Sequence, residues 1–255
     1  MDPVTNTLRR EGVPSIINPF DVHAVEEAVR VKERYGGKVT LLSMGPPQAR
    51  DALKKALAFG ADSAILLTDR AFAGSDTLAT GYTLAGAIAR IAEQEPVDMV
   101  FCGKQAIDGD TAQVGPGIAR RLGFSQLTYV MKIERLDPEK REIVVHRKLA
   151  DGHAVVAARL PALLTMVKDI NQPRRASLPD LIRAARYQVI TWGKQDLPVE
   201  EERLGLKGSP TTVHQVFAPP VRPGGELIPG ADQGPRHAAR ELVDKLIGIK
   251  VIANT

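Results

Sequence analysis

Short apolar runs alternate with amphipathic stretches through the first half of the chain, and the spacing predicts strands separated by helices. Asn18 is a good N-cap and Pro19 a good first helical residue, so a helix is expected from there to about Tyr35, stopped by Gly36-Gly37. Lys38–Met44 reads as a strand, Gln48–Phe59 as a helix ended by Gly60, and Ser63–Thr68 as the next strand. A helix starts at Asp76 or Thr77 and reaches about Gln94. The apolar run Val97–Cys102 is a buried strand, and Thr111–Leu122 is a further helix. Strands and helices alternating through short links predict an α/β fold: a doubly wound, mostly parallel sheet with helices on both faces. Ligands of such sheets sit beyond the carboxyl ends of the strands. Loops 69–76 and 103–110 both lie at such ends.

The pattern changes after Gly123. Gln126–Ile133, Glu142–Leu149 and Ala154–Arg159 read as strands, with Asp151-Gly152 as a hairpin turn. Ala162–Val167 is another strand, and Ser177–Arg186 a short helix with Pro179 in its first turn. Residues 193–232 carry many prolines and glycines and little periodicity. They read as an extended arm without a core of its own, closed by an amphipathic helix over Pro235–Ile247.

Composition narrows the classes. A chain of 255 residues with 44% hydrophobic and 25% charged residues can bury a real core. One cysteine excludes an intrachain disulfide and a multi-cysteine metal centre. No apolar run approaches the length of a membrane span, and no signal peptide core stands at the start, so a cytoplasmic protein is expected. The net charge of +4 is matched by one segment, 171–194, where Arg174, Arg175, Arg183, Arg186 and Lys194 face only Asp180. No nucleic-acid fold signature accompanies it. A short basic segment of this kind is a solvated face or a dock for an acidic protein surface.

The stretch Phe101–Ile118 holds the most chemistry. A strand, a polar loop with two glycines and two aspartates, and a helix start together offer free backbone N–H groups to a phosphate. It is neither G-x-G-x-x-G nor G-x-x-x-x-G-K-[ST]. Read from the residues alone, it fits a nucleotide loop or a plain tight connection. Carboxylates repel phosphate, so Asp108 and Asp110 suit hydroxyl or backbone contacts, with backbone N–H groups near Gly109–Gln113 left for phosphate. The five histidines show no metal-ligand spacing, Cys102 reads as a core thiol, and no nucleophile motif appears. No self-sufficient catalytic centre is expected, and no metal.

Several motifs occur in order: Ile17-Asn-Pro-Phe-Asp21 leading into Ala24–Val29, then Ser43-Met-Gly-Pro-Pro47, then Ala56–Asp62. They are followed by Gly103-Lys-Gln-Ala-Ile-Asp-Gly-Asp-Thr111 with Gln113 and Gly115, Leu160–Leu164, and Asn171–Pro179. Over roughly residues 1–190 this series resembles the β subunit of electron-transfer flavoprotein. The resemblance implies an adenine-nucleotide α-hydrolase-like sheet over residues 1–190. It also implies a C-terminal arm and helix, 191–255, packing on an α subunit. The family opens on an apolar strand that Met1–Thr5 does not resemble, so a start site set too far downstream is expected.

Carried over by matching positions, the nucleotide contacts implied are Asn18, Pro19, Phe20, Asp21, Met44, Gly103, Lys104, Gln105, Ala106, Ile107, Asp108, Gly109, Asp110, Thr111, Gln113 and Val114. The string Gly74–Thr80 resembles the electron-bifurcating branch. There Asp76, Thr77 and Thr80 would contact a second FAD that takes hydride from NADH; in the other branch the site holds structural AMP. Asp and Thr at a helix start are also ordinary caps. Segment 167–188 resembles the loop that grips acyl-CoA dehydrogenase-type or quinone-reductase-type partners, with Leu178 as apolar anchor and Arg174, Arg175 and Arg183 around it. Leu178 packed on its own domain is the alternative. A regulatory protein that binds an adenine nucleotide without redox work is the reading from a different class.

Overall fold

The computed structural model describes residues 15–214, 220–221, 224–228 and 234–252. The expected family opening, at residues 1–5, lies outside these. Two compact units divide the chain, the first ending at His214.

In the first unit, β1 (Thr40–Met44), β2 (Ser63–Leu67) and β8 (Ile190–Trp192) form a parallel sheet in the order β1-β2-β8. A second sheet runs β3-β7-β4-β5-β6, from β3 (Met99–Gly103), β7 (Ala162–Met166), β4 (Ser125–Asp137), β5 (Glu142–Leu149) and β6 (Gly152–Arg159). Its first three strands are parallel and its last two antiparallel. The fold is therefore α/β with mostly parallel pairing, and the hairpin strands extend one end of it. The doubly wound pattern is divided between the two sheets. Among the described residues, β1 and β3 each pair along one edge only.

Single-residue alternation decides which helix each strand side meets. In β2, Ala64 and Leu66 pack with Leu53, Ala56 and Leu57 of α2 (Arg50–Leu57). Its Ile65 and Leu67 pack with Ala87 of α3 (Thr77–Ala92). In β7, Leu164 and Met166 join Ala24 of α1 (Pro19–Tyr35), while Leu163 joins Ile118 and Ala119 of α4 (Val114–Leu122). Neighbouring residues of one buried strand thus face helices on opposite sides. That is why these strands read as unbroken apolar runs.

Two glycines let helices approach the strand ends. A Cβ on Gly103 would lie 2.6 Å from the Phe20 Cβ, so its absence allows the first turn of α1 to rest on the end of β3. A Cβ on Gly115 would lie 2.8 Å from Thr165 and 3.0 Å from the Cys102 sulfur, so α4 can seat on β3 and β7 only without it.

Two expectations are corrected and one is extended. The helix predicted from Thr111 begins at Val114, because Asp110 and Ala112 both adopt left-handed backbone (φ 54° and 56°) that no helix continues. Asn18 precedes α1 but its side chain caps nothing there; it bonds elsewhere, as described below. The segment after β8 contributes to the core of the first unit: Leu197 and Leu204 are buried in the cluster of Ile65, Leu67 and Phe72. Its few apolar residues are spaced by prolines and glycines, so no periodicity announces them. The short helix expected at Ser177 is α5 (Leu178–Arg186), capped by the Ser177 hydroxyl. In the second unit, α6 (Pro235–Gly248) matches the expected closing helix. Its Lys245 pairs with Glu241 at 3.2 Å and with Glu226. No helix among the described residues is long and apolar enough to cross a membrane.

Candidate functional site

The loop after β3 is tied to the start of α1 by side chains. The Asn18 amide donates to the Asp21 carboxylate (2.8 Å) and to the Gln105 carbonyl (2.9 Å), and its oxygen accepts from the Ile107 N–H (3.2 Å). The sequence reads Asn18 as a helix cap; the structure uses it as a clamp between two segments 87 residues apart. Asp21 accepts from the Gly103 N–H at 2.5 Å. Burial pushes the Asp21 carboxyl above its ordinary value, opposed by the Gly103 and Asn18 donors. Within the loop the Gln105 amide meets the Asp110 carboxylate, and the Asp110 N–H closes a turn on the Ala106 carbonyl (2.9 Å). The Cys102 thiol is pushed well up by burial and then by the Asp21 charge, as a core thiol should be.

Asn18, Asp21, Gly103, Gln105, Ile107 and Asp110 are thus one bonded cluster. Pro19 and Phe20 form the first turn of α1 beside it. A second junction joins the two helix starts: the Thr77 hydroxyl donates to the Gln113 side chain at 3.0 Å, next to Val114. Met44 ends β1 against the Leu67 cluster. Ala106, Ile107, Asp108, Gly109 and Thr111 form the exposed rim, and the Asp108 and Thr111 side chains bond to nothing among the described residues. Thr80 stands one turn into α3 with its side chain unbonded.

Asp76 is the N-cap of α3. One oxygen accepts from the N–H groups of Leu78 and Ala79 (2.9 and 3.1 Å); the other accepts from the Thr211 N–H and hydroxyl (3.2 and 2.8 Å). Burial would raise its pKa, but these donors hold it below the usual value. The capping alternative therefore describes its geometry, with a strap at 209–211 as its second partner.

The basic segment is largely anchored. Arg174 bridges Glu26 (2.9 Å) and Glu33 (2.5 Å) on α1, and Arg30 also reaches Glu26 (2.6 Å). Glu26 is 1% exposed. Burial opposes its ionisation, yet the Arg174 and Arg30 donors keep its carboxyl below the ordinary value. Arg183 donates to the Leu57 and Ala61 carbonyls (2.9 and 3.1 Å). Arg175 is exposed and unpaired. Leu178 is 70% exposed at the tip of α5, with Leu181 and Ile182 also exposed. Beside them lies an open groove of about 630 Å³ lined by Pro179, Ile182, Arg183, Arg186 and Tyr187.

Some groupings are invisible in the sequence. His146 and His153 stack at 4.9 Å across β5 and β6, and His146 contacts Glu134. Two of the five histidines therefore meet, although no group of three or more His, Cys, Asp or Glu among the described residues can hold a metal ion. Lys168 and Lys104 both stand over the Phe20 ring, and Lys104 also meets the Tyr129 ring. No local motif flags Lys168 or Tyr129, since strand pairing brings them together across long separations. Asn171, which bonds His23 and Glu27 on α1, shows only as part of the Asn171–Pro179 string.

An electron transfer flavoprotein domain matches residues 5–197. The chain is 52% identical over 246 residues to Protein FixA of Azotobacter vinelandii, covering 96% of this chain and 88% of that protein. It is 49% identical over 253 residues to the electron transfer flavoprotein subunit beta of Thermoanaerobacterium thermosaccharolyticum, covering 99% and 94%. The corresponding subunit of Clostridium acetobutylicum is 50% identical over 246 residues, covering 96% and 91%. With motifs, parallel α/β core and relatives in agreement along nearly its whole length, the chain belongs to the electron transfer flavoprotein family.

Proposed function

We propose that the chain is the β subunit of a cytoplasmic electron-transfer flavoprotein, working as a heterodimer with an α subunit and holding an adenine-containing cofactor at the loop 103–114. In this reading residues 1–190 are the nucleotide half, the start of the arm is fastened to it through β8, Leu197 and Leu204, and the rest of the arm and helix, to residue 255, packs on the α subunit. Within the family we favour the electron-bifurcating branch, with FAD at the β site and NADH as transient substrate. Bound there, FAD would supply hydride acceptance from NADH and single-electron release toward two acceptors.

The observation that carries the reading is the Asn18–Asp21–Gln105–Ile107 clamp. It holds an exposed, glycine-bearing loop at a strand's carboxyl end, where the fold itself has no use for the glycine. A Cβ on Gly109 would meet nothing within 4 Å. In the proposed role the clamp fixes the loop, and the backbone around 109–113 approaches phosphate. Buried Asp21 supports the loop and stays off the ligand. Asp76 favours the second reading in the same family, a carrier with structural AMP. Both of its oxygens already have donors, so a flavin contact there requires the strap at 209–211 to move. For docking, exposed Leu178 and Arg175 are the contacts proposed for an acyl-CoA dehydrogenase-type or quinone-reductase-type partner. Arg174 and Arg183 hold the platform in place.

Cofactor analysis of the chain co-purified with its α subunit tests this. Two flavins per heterodimer and bleaching by NADH are expected. One flavin with AMP and no bleaching leaves the simple carrier, and no flavin leaves a regulatory nucleotide binder.

A further inference from the structure

A pocket of about 380 Å³ opens between α3, α4 and the segment 202–210 that follows β8. Leu78 and Tyr82 supply its α3 wall, on roughly the opposite side of the helix from Ala87, which faces β2. The pocket therefore lies on the outer side of α3, away from the sheet. Its charged lining is Arg121 of α4 with Arg203, Lys207 and Glu202 of the segment. Glu202 pairs with Lys207 at 3.3 Å. Both guanidinium groups are left without a carboxylate partner among the described residues.

Both guanidinium groups are held in position. Arg121 donates from its two Nη groups to the Gly117 and Leu78 carbonyls (3.0 and 3.2 Å), with a second hydrogen left on each, and its buried Nε has no acceptor. Arg203 lies 4.0 Å over the Tyr82 ring, and its side chain makes no hydrogen bond among the described residues. The Tyr82 hydroxyl accepts from the Glu200 N–H at 2.9 Å, which fixes the ring. The wall from segment 202–210 is formed in advance too. A Cβ on Gly205 would collide with the Ala71 carbonyl oxygen, so the segment rests directly on the loop before α3. Buried Ser209 donates to the Gly205 carbonyl (2.6 Å) and accepts from the Asp76 N–H (2.8 Å).

We propose that this pocket binds a small organic acid, with Arg121 and Arg203 receiving its carboxylate and Leu78 and Tyr82 its apolar body. Three cations (Arg121, Arg203, Lys207) against one carboxylate (Glu202) leave a local charge of +2. Guanidinium–carboxylate hydrogen bonds are charge-assisted, and stacking on a ring leaves the N–H edge of Arg203 free to donate. An apolar wall beside two fixed cations selects an anion that carries hydrocarbon over a bare inorganic ion. Because the walls come from α3, α4 and segment 202–210, an occupant ties the segment to the helix pair. The site is separate from loop 103–114 and does not depend on the nucleotide reading.

The test titrates the full chain, co-purified with its α subunit, with benzoate, with its neutral isostere benzamide and with acetate, followed by ligand-observed NMR. Benzoate should bind about tenfold more tightly than either, because benzamide lacks the charge and acetate lacks the ring. In Arg203→Gln, benzoate affinity should fall about tenfold, to the level of benzamide. The Arg203 side chain touches only the Tyr82 ring, so melting temperature and nucleotide content should not change. Benzoate should also slow hydrogen exchange at the Gly208 and Thr211 amides, which bond to the Leu204 carbonyl and the Asp76 carboxylate, in the native protein alone. Equal affinity for benzoate and benzamide, or for benzoate and acetate, overturns the proposal. So does full benzoate affinity in Arg203→Gln, protection confined to other segments, or a heterodimer that binds no benzoate at all.

Discussion

Gly109 and Asn18 show how much rests on single side chains at the candidate site. Gly109 is exposed, does not have the positive φ that only glycine favours, and leaves open space where a Cβ would sit. Substituting valine should therefore leave folding intact. If the loop backbone approaches phosphate, the same branched side chain should weaken nucleotide binding about tenfold or more, equivalent to roughly 1.4 kcal/mol. Thermal melting and nucleotide content of Gly109→Val check both halves. Unchanged occupancy would remove the loop from the site. Asn18 differs in kind, because three hydrogen bonds to two segments make it structural as well as functional.

Among the elements, α1 and α5 carry the arguments furthest. Glu26 faces inward on α1 and gathers Arg30 and Arg174, so the helix holds the segment that leads into α5. Glu26→Gln should cost about 1.5–3 kcal/mol, because it replaces the charge-assisted bonds that the partly exposed Arg30 and Arg174 make to a buried carboxylate by weaker ones to a neutral amide; Glu33 still pairs Arg174 and limits the loss. Urea denaturation measures it, and a change under about 0.5 kcal/mol, the level of an ordinary surface substitution, would contradict the anchoring role. On α5, Leu178 is exposed in the chain alone. Leu178→Ala should leave stability within about 0.5 kcal/mol. It should slow electron transfer to the dehydrogenase-type partner, as loss of an apolar anchor costs about 2 kcal/mol of binding. Stopped-flow kinetics with partner present would show this; cofactor content should not move.

At the scale of the whole molecule, acid stability reports the carboxylates that hold hydrogen bonds and ion pairs. Glu26, Asp62, Asp69 and Asp76 have folded-state values below their ordinary 4.5 or 3.8, so the native state binds fewer protons than the unfolded chain in that range. The causes differ. Burial opposes the shift at Glu26, Asp62 and Asp76, where Arg174, Lys32 and backbone donors respectively overcome it; at Asp69 the Ala71 and Lys194 N–H groups dominate. The stability from these groups is complete above about pH 4.5 and is lost as pH falls through their lowered folded values. Asp21 acts in the other sense: its raised folded value removes stability as pH climbs from 3.8 through that value. Denaturation midpoints should drop below about pH 4.5, with the drop reduced in Glu26→Gln. A flat acid limb would refute this assignment.

What the sequence determined by itself is the part written in local periods and in ordered strings. The helices at 19–35 and 77–92, the strands through Gly103 and the later hairpin follow from apolar spacing, Pro and Gly positions and the Asp151-Gly152 turn. The motif series also carried the family. The tertiary structure alone decided the rest. The sheet divides in two. Asn18 clamps a distant loop and leaves its helix uncapped, the start of α4 is delayed by two left-handed residues, and Leu197 and Leu204 enter the core. Arg174 is held by Glu26, and Lys104 meets Tyr129 and, with Lys168, the Phe20 ring. The physical reason is range. Periodicity and capping act over a few residues, whereas these contacts join residues that only strand pairing and helix packing bring together. A side chain able to cap, clamp or pair looks the same in the sequence in every role.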